Sequence, residues 1–236
     1  MELRGKTAIV TGGNSGIGLA ISTALAQAGT NVVVAGRRQN QNESVARDLA
    51  QRHGVKTDAC ATDISQEADC ERLMKRAIDR FGSIHLLINN AGVGGGDRIE
   101  KTSTADFDRV LKTNLYGTFW CSRAVYPHMR KNSGSPRGAI INICSVAGKQ
   151  AWSGSGTYSA SKFGVLALTQ ALADEGKEHD IKAAAVCPAM VATPMTGVSG
   201  PDYLQPKDCA ETVLYLLRLS PAAWPTEIVL ERKGAS

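Results

Sequence analysis

Seven short runs of apolar, β-branched residues alternate with helical stretches from one end of this chain to the other. Parallel strands need a long crossover between neighbours, and helices in those crossovers cover both faces of the sheet. The pattern predicts strands at Thr7–Thr11, Asn31–Gly36, Lys56–Ala61, Ile84–Asn90, Gly138–Ser145, Lys182–Cys187 and Glu227–Leu230. It predicts helices near 17–29, 41–53, 66–81, 105–131, 156–178 and 207–219. Right-handed crossovers wind such elements into an α/β, doubly wound parallel sheet of about seven strands with helices on both faces. Nothing reads as an interdomain linker or an internal repeat, so residues 1–236 are expected to form a single domain.

Composition narrows the function classes. Apolar residues make up 43% and charged residues 21%, as in a soluble globular protein. No apolar run approaches the roughly 18 residues of a membrane span, and Met1–Gly5 shows no signal-peptide pattern. A cytoplasmic protein without membrane contact is expected. Six cysteines (Cys60, Cys70, Cys121, Cys144, Cys187, Cys209) form no Cys-x-x-Cys pair and have no histidine at ligand spacing. They read as reduced, mostly buried thiols, with no metal site. A net charge of +5 without a long Lys/Arg block reads as a solvated surface, and no nucleic-acid partner is expected.

Two motifs carry chemistry. The first strand runs into Thr11-Gly12-Gly13-Asn14-Ser15-Gly16-Ile17-Gly18, and a helical pattern follows. Glycines allow a tight turn there and let backbone N–H groups approach a pyrophosphate at a helix N-terminus. The spacing is Gly-x-x-x-Gly-x-Gly, not the Gly-x-Gly-x-x-Gly of the common dinucleotide fingerprint. A plain strand-to-helix turn is the alternative. Further on, Tyr158-Ser159-Ala160-Ser161-Lys162 puts a phenol and an ammonium on one helix face. An adjacent cation favours phenolate over phenol, so such a tyrosine is expected to exchange a proton with a carbonyl or alcohol oxygen. Taken alone, the pair is weak, because such pairs are common on exposed helices.

The ordered set of motifs resembles the classical short-chain dehydrogenase/reductase family, from about Thr7 to about Thr193 and more weakly to the end. The carriers are the glycine turn, Asp63, Asn89-Asn90-Ala91-Gly92, Asn114, Ser145 and Tyr158-x-x-x-Lys162. The resemblance implies a Rossmann-type oxidoreductase domain. It implies that Gly12, Gly16 and Gly18 form the pyrophosphate turn, lined by Asn14, Ser15 and Ile17. Asp63, with Ile64 beside it, would bind adenine; read alone, Asp63 is a helix N-cap. Asn90, Ala91 and Gly92 would pass under a ribose, and Pro188, Val191 and Thr193 would meet the nicotinamide end. Ala189 stands where the family has glycine. Ser145 and Tyr158 would hold the reacting oxygen, and Lys162 would serve both Tyr158 and the ribose. Asn114 would hold a relay water; otherwise it is a polar residue inside a long helix.

Cofactor choice turns on the second strand's end, Val34-Ala35-Gly36-Arg37-Arg38. An enzyme for NAD places an acidic residue there, on the ribose 2′-hydroxyl. Gly36 holds that position, and guanidinium forks follow it, which suit a phosphate. NADP(H) is therefore expected, with Arg37 as the main ligand and Arg38 beside it. Two solvated charges at a strand end are the competing reading. The resemblance also implies a substrate-covering segment, and here it is short, about 194–206. The helix carrying Tyr158 is apolar nearly all round, which points to a homodimer or homotetramer. The expected activity is reduction of a ketone or aldehyde to an alcohol with NADPH, or the reverse. The alternatives are a 3-oxoacyl-thioester reductase and a silent nucleotide-sensing regulator.

Overall fold

Strands buried on both faces should be continuously apolar, and the first strand, β1 (Thr7–Thr11), is buried at every position. The computed structural model describes residues 1–233; the last three residues of the expected domain, 234–236, lie outside the described residues. Six more strands follow: β2 (Asn31–Gly36), β3 (Thr57–Ala61), β4 (Leu86–Asn89), β5 (Gly138–Ile143), β6 (Ile181–Pro188) and β7 (Glu227–Leu230). All pair in parallel, in the order β3-β2-β1-β4-β5-β6-β7.

The two-residue period of the strands sorts the core into two layers. Ala8 and Val10 of β1, Val32 and Val34 of β2, and Leu86 and Ile88 of β4 point to one layer. Ile9, Val33 and Leu87 point to the other. Helices α1 (Gly16–Gln27), α2 (Gln39–His53) and α7 (Pro206–Arg218) close the first layer with Ile21, Leu25, Leu49 and Leu217. Helices α3 (Glu67–Phe81) and α5 (Gly117–Met129) close the second with Leu73, Met74, Val125 and Met129. α6 (Gly156–His179) packs along β6. Truncating one of these fully buried side chains to alanine costs about 2–5 kcal/mol, so the layers fix the strand register firmly.

Local chemistry ends the helices where the sequence says it should. Gly54 and Gly82 take left-handed backbone after α2 and α3, at φ +67° and +77°. Pro206 opens α7 behind a reciprocal cap between Gln205 and Asp208.

One predicted element splits. The single helix expected over 105–131 is α4 (Thr104–Leu111), then a π-helical turn at Lys112–Tyr116, then α5. An inserted residue in the backbone ladder has no signature in apolar periodicity, which is why the sequence reads as one run. Strand ends also retract: β4 stops at Asn89 and β5 at Ile143, which leaves Asn90 and Ser145 in the turns beyond.

Candidate active site

The strand order reverses between β1 and β4, and an open α/β sheet forms a crevice at the carboxyl ends flanking such a point. A cavity of about 470 Å³ lies there, walled by the turns after β1, β2, β3, β4, β5 and β6.

The turn after β1 is built for close approach. Gly12 has φ +64°, a conformation that L side chains rarely adopt. A Cβ on Gly18 would stand 2.1 Å from the Gly12 carbonyl oxygen and 2.4 Å from the Asn90 amide nitrogen, so only glycine fits. Asn90 seals the arrangement by donating to the carbonyls of Thr11 at 2.9 Å and Gly12 at 3.3 Å. The Thr11 hydroxyl accepts from the backbone amides of Asn90 and Ala91 and itself donates to Ile88 O. Helix α1 begins at once. Its N-cap, Ser15, makes no side-chain cap bond, which leaves first-turn N–H groups without that partner beside the cavity.

At the far end of the cavity Arg37 and Arg38 are exposed and line the wall. Gly36 lies beneath them, against the amides of Asn14 and Asn42. Asp63 accepts from the backbone and hydroxyl of Ser65 at 3.0 and 2.8 Å. It is therefore a turn residue, and the N-cap of α3 is Gln66.

The opposite end gathers Ser145, Tyr158 and Lys162. Extended backbone at Ser145 caps a short 3₁₀ turn, Val146–Gly148, whose Ala147 amide donates to the serine oxygen at 3.1 Å. The serine proton remains available to a ligand. One helical turn of α6 separates Tyr158 from Lys162, and the ammonium lies 5.6 Å from the phenol ring centroid. Lys162 is only 6% exposed. Its Nζ donates to the Ile143 carbonyl at 2.9 Å, and no salt bridge to it is found among the described residues. A buried ammonium without a carboxylate is costly unless a ligand or dipoles compensate it.

The Cys144 thiol donates to the Lys162 carbonyl at 3.3 Å, and the neighbouring Cys187 thiol, with the Lys162 charge, holds it below the usual thiol range. Burial opposes that shift, while Cys187 is pushed up by its Cys144 neighbour and by burial.

Asn114 sits in the π turn, behind the wall rather than in it. Its oxygen accepts from Val93 N at 2.8 Å, and its amide donates to Val93 O at 3.0 Å and Ser161 Oγ at 3.1 Å. Gly18 also lies behind the lining, under the glycine turn. The other residues singled out from sequence line the cavity together: Gly12, Asn14, Ser15, Gly16, Ile17, Arg37, Arg38, Asp63, Ile64, Asn90, Ala91, Gly92, Ser145, Tyr158, Lys162, Pro188, Val191 and Thr193. Met195 and Thr196, within the expected covering segment, line it too, and sequence reasoning missed Arg109 and Thr113. Four-residue spacing puts Arg109 and Thr113 on one helix face, but nothing in the sequence says which face meets the cavity.

The donor set suits a dinucleotide. Arg37, Arg38, Arg109 and Lys162 supply positive charge along the cavity, Asp63 is the carboxylate among its described lining residues, and the uncapped end of α1 lies between. The segment after β6 forms one wall. Val191 pairs with Leu204, and Thr196 Oγ1 donates to Val191 O at 2.7 Å, which ties the base of a short surface loop.

Residues 6–203 match the family model described as short chain dehydrogenase. An uncharacterized oxidoreductase of Staphylococcus aureus (strain MRSA252) is 36% identical over 218 residues, spanning 91% of this chain and 92% of that protein. An alcohol dehydrogenase from the archaeon Thermococcus sibiricus, solved with 5-hydroxy-NADP, superposes with TM-score 0.89 at 28% identity over 96% of each chain. A 3-ketoacyl-(acyl-carrier-protein) reductase from Brucella melitensis, solved with NADH, superposes with TM-score 0.87 at 29% identity. That match covers 97% of this chain and 96% of the other.

Proposed function

The chain belongs to the short-chain dehydrogenase/reductase family and is an oxidoreductase, and on that premise we propose that it reduces a ketone or aldehyde to an alcohol with NADPH, or runs the reverse. The carrying observation is the Tyr158–Lys162 pair beside Ser145 in one cavity, with the lysine buried and, among the described residues, unmatched by a carboxylate. We read residues 1–236 as one such domain.

When bound, a nicotinamide dinucleotide would supply the hydride, two electrons and one hydrogen, that the carbonyl carbon requires. The protein handles the oxygen. Tyr158 gives its hydroxyl proton to that oxygen as charge develops there, and Ser145 donates a second hydrogen bond to the same atom. Lys162 stabilises negative charge on the phenol through its ammonium, and its remaining N–H donors would hold a ribose hydroxyl of the dinucleotide. Asn114 acts through position. By fixing Val93 and Ser161, it holds the loop after β4 against α6, and a relay water for Lys162 belongs to this reading.

Gly12, Asn14, Ser15, Gly16, Ile17 and Gly18 form the pyrophosphate turn. Asp63 and Ile64 meet the adenine, Asn90, Ala91 and Gly92 the adjoining ribose, and Pro188, Val191 and Thr193 the carboxamide end. Arg37 and Arg38 read a 2′-phosphate, as guanidinium forks do, where an acidic residue is missing at Gly36. The NADP-type ligand in the T. sibiricus enzyme supports this choice, and the NADH in the B. melitensis reductase is the competing observation.

That reductase also favours a second substrate reading, a 3-oxoacyl thioester. The short loop after β6 leaves the substrate end open, which supports a carbonyl compound whose tail need not be enclosed. NADPH absorbance followed with ketones, aldehydes, 3-oxo esters and 3-oxoacyl thioesters tests the assignment. Turnover of simple ketones or aldehydes is expected. Turnover of thioesters alone moves the assignment to the second reading, and dinucleotide binding without any turnover moves it to a sensing role. We place the protein in the cytoplasm as a homo-oligomer joined through α5 and α6, without membrane or nucleic-acid partners. An apolar groove of about 340 Å³ between those helices, walled by Phe119, Tyr126, Leu168 and Leu172, supports the assembly.

A further inference from the structure

Asn42 was not singled out by any motif, yet it is fully buried behind the lining residues Asn14 and Gly36, in the first turn of α2. A buried primary amide must place all its donors and acceptors, and Asn42 does. Its nitrogen donates to Gly36 O at 2.7 Å and to Cys60 O at 3.1 Å, the carbonyls at the ends of β2 and beside the end of β3. Those two acceptors fix which way the amide faces, so its oxygen must turn toward Asn14, whose side-chain nitrogen donates to it. The neighbouring Gln41 donates to the Asn14 carbonyl at 3.1 Å. Helix α2 thus grips Asn14 from two consecutive residues, and Asn14 is 5% exposed.

This amide pair fills the room beside Gly36. A Cβ on Gly36 would lie 3.0 Å from the Asn14 nitrogen and 3.1 Å from the Asn42 oxygen, tighter than ordinary van der Waals contact. The position is the one from which a carboxylate would read an unphosphorylated ribose. We infer that Asn42, acting through Asn14, is a specificity-determining residue that closes the Gly36 position to side chains and so holds the cavity to the phosphorylated dinucleotide. The inference rests on the NADP(H) reading above. It makes cofactor choice a property of two interlocked layers: the arginines that attract a phosphate and the amides that exclude its competitor.

The consequence is non-additivity. Gly36→Asp alone forces its Cβ against a hydrogen-bonded pair that must give by a few tenths of an ångström. Asn42→Ser shortens the obstructing side chain while keeping a hydroxyl that can donate. Wild type, Gly36→Asp, Asn42→Ser and the double variant should be compared by titration calorimetry with NADPH and NADH, and by thermal melting without dinucleotide. Gly36→Asp is expected to lower the melting temperature and weaken NADPH at least tenfold, while NADH gains less than threefold. In the double variant, NADH should gain at least tenfold and part of the melting temperature should return. Equal NADH gain with and without Asn42→Ser overturns the inference. If Gly36→Asp fails to fold, Gly36→Ala with and without Asn42→Ser applies the same test through melting temperature and NADPH affinity. Loss that Asn42→Ser does not relieve then overturns it. Should wild type itself prefer NADH, the cofactor reading fails, whereas coupling between residues 36 and 42 is still read from the cycle.

Discussion

Asn114 holds Val93 at both backbone groups, accepting from its amide at 2.8 Å and donating to its carbonyl at 3.0 Å. A third bond, to Ser161 Oγ at 3.1 Å, ties the same amide to the helix of Tyr158 and Lys162. A single residue therefore couples the turn after β4 to α6, and the π turn at Lys112–Tyr116 is what aims it.

Asn114→Ala leaves two backbone groups of Val93 without their partner. These groups are part-buried at the cavity wall, where water replaces some of the loss, so the variant should unfold at lower denaturant by about 1 kcal/mol with an unchanged slope. Its turnover should fall as well, because the turn and the helix lose their common anchor. Urea titration and steady-state kinetics on the same preparation check both.

Arg37→Ala removes the guanidinium proposed for the 2′-phosphate. Hydrogen bonds to charged groups contribute about 1.5–3 kcal/mol, roughly a 10- to 150-fold change in affinity. KM for NADPH should rise within that range, while KM for NADH should change little. Equal losses with both dinucleotides would place Arg37 outside phosphate recognition.

His85 gives the fold an acid-sensitive seam. Its Nδ1 accepts from the Thr7 amide at 3.2 Å, and burial, with a smaller contribution from Lys6, lowers its pKa from 6.5 to about 4. The unfolded chain therefore binds the proton first. Stability from this group is fully present above about pH 6.5 and is lost as pH falls through about 4. A shift from 6.5 to about 4 corresponds to about 3 kcal/mol, and partial exposure discounts that to about 1–2 kcal/mol. His85→Gln should flatten the fall in unfolding free energy between these pH values, as measured by urea titration.

Leu168→Glu places a carboxylate in the apolar groove between α5 and α6. A self-complementary face buried in a dimer should not tolerate a pair of symmetry-related charges. Light scattering should report a smaller species than wild type. Unchanged mass would remove this face from the assembly.

Periodicity carried most of the architecture because parallel strands buried on both faces are apolar through their centres, as in Ala8–Val10 of β1 and Ala183–Val186 of β6. The site was legible where backbone chemistry demands one residue type: Gly12 for its left-handed backbone, Gly18 for its contact with Asn90. It was not legible where tertiary placement decides. Nothing local marks the π turn, so Asn114 reads as an ordinary helical residue. Asn42 lies on a polar helix where only burial reveals its role, and Asp63 looks like an N-cap until Ser65 is seen to occupy it.

The most direct test of the account is Tyr158→Phe, which removes a single hydroxyl and leaves the ring beside Lys162. General acid catalysis supplies about 10²–10⁴ in rate, so kcat for a reactive ketone should fall by that factor. NADPH affinity measured by calorimetry should stay within about threefold of wild type. A variant that retains wild-type turnover would contradict the proposal that this phenol delivers the proton.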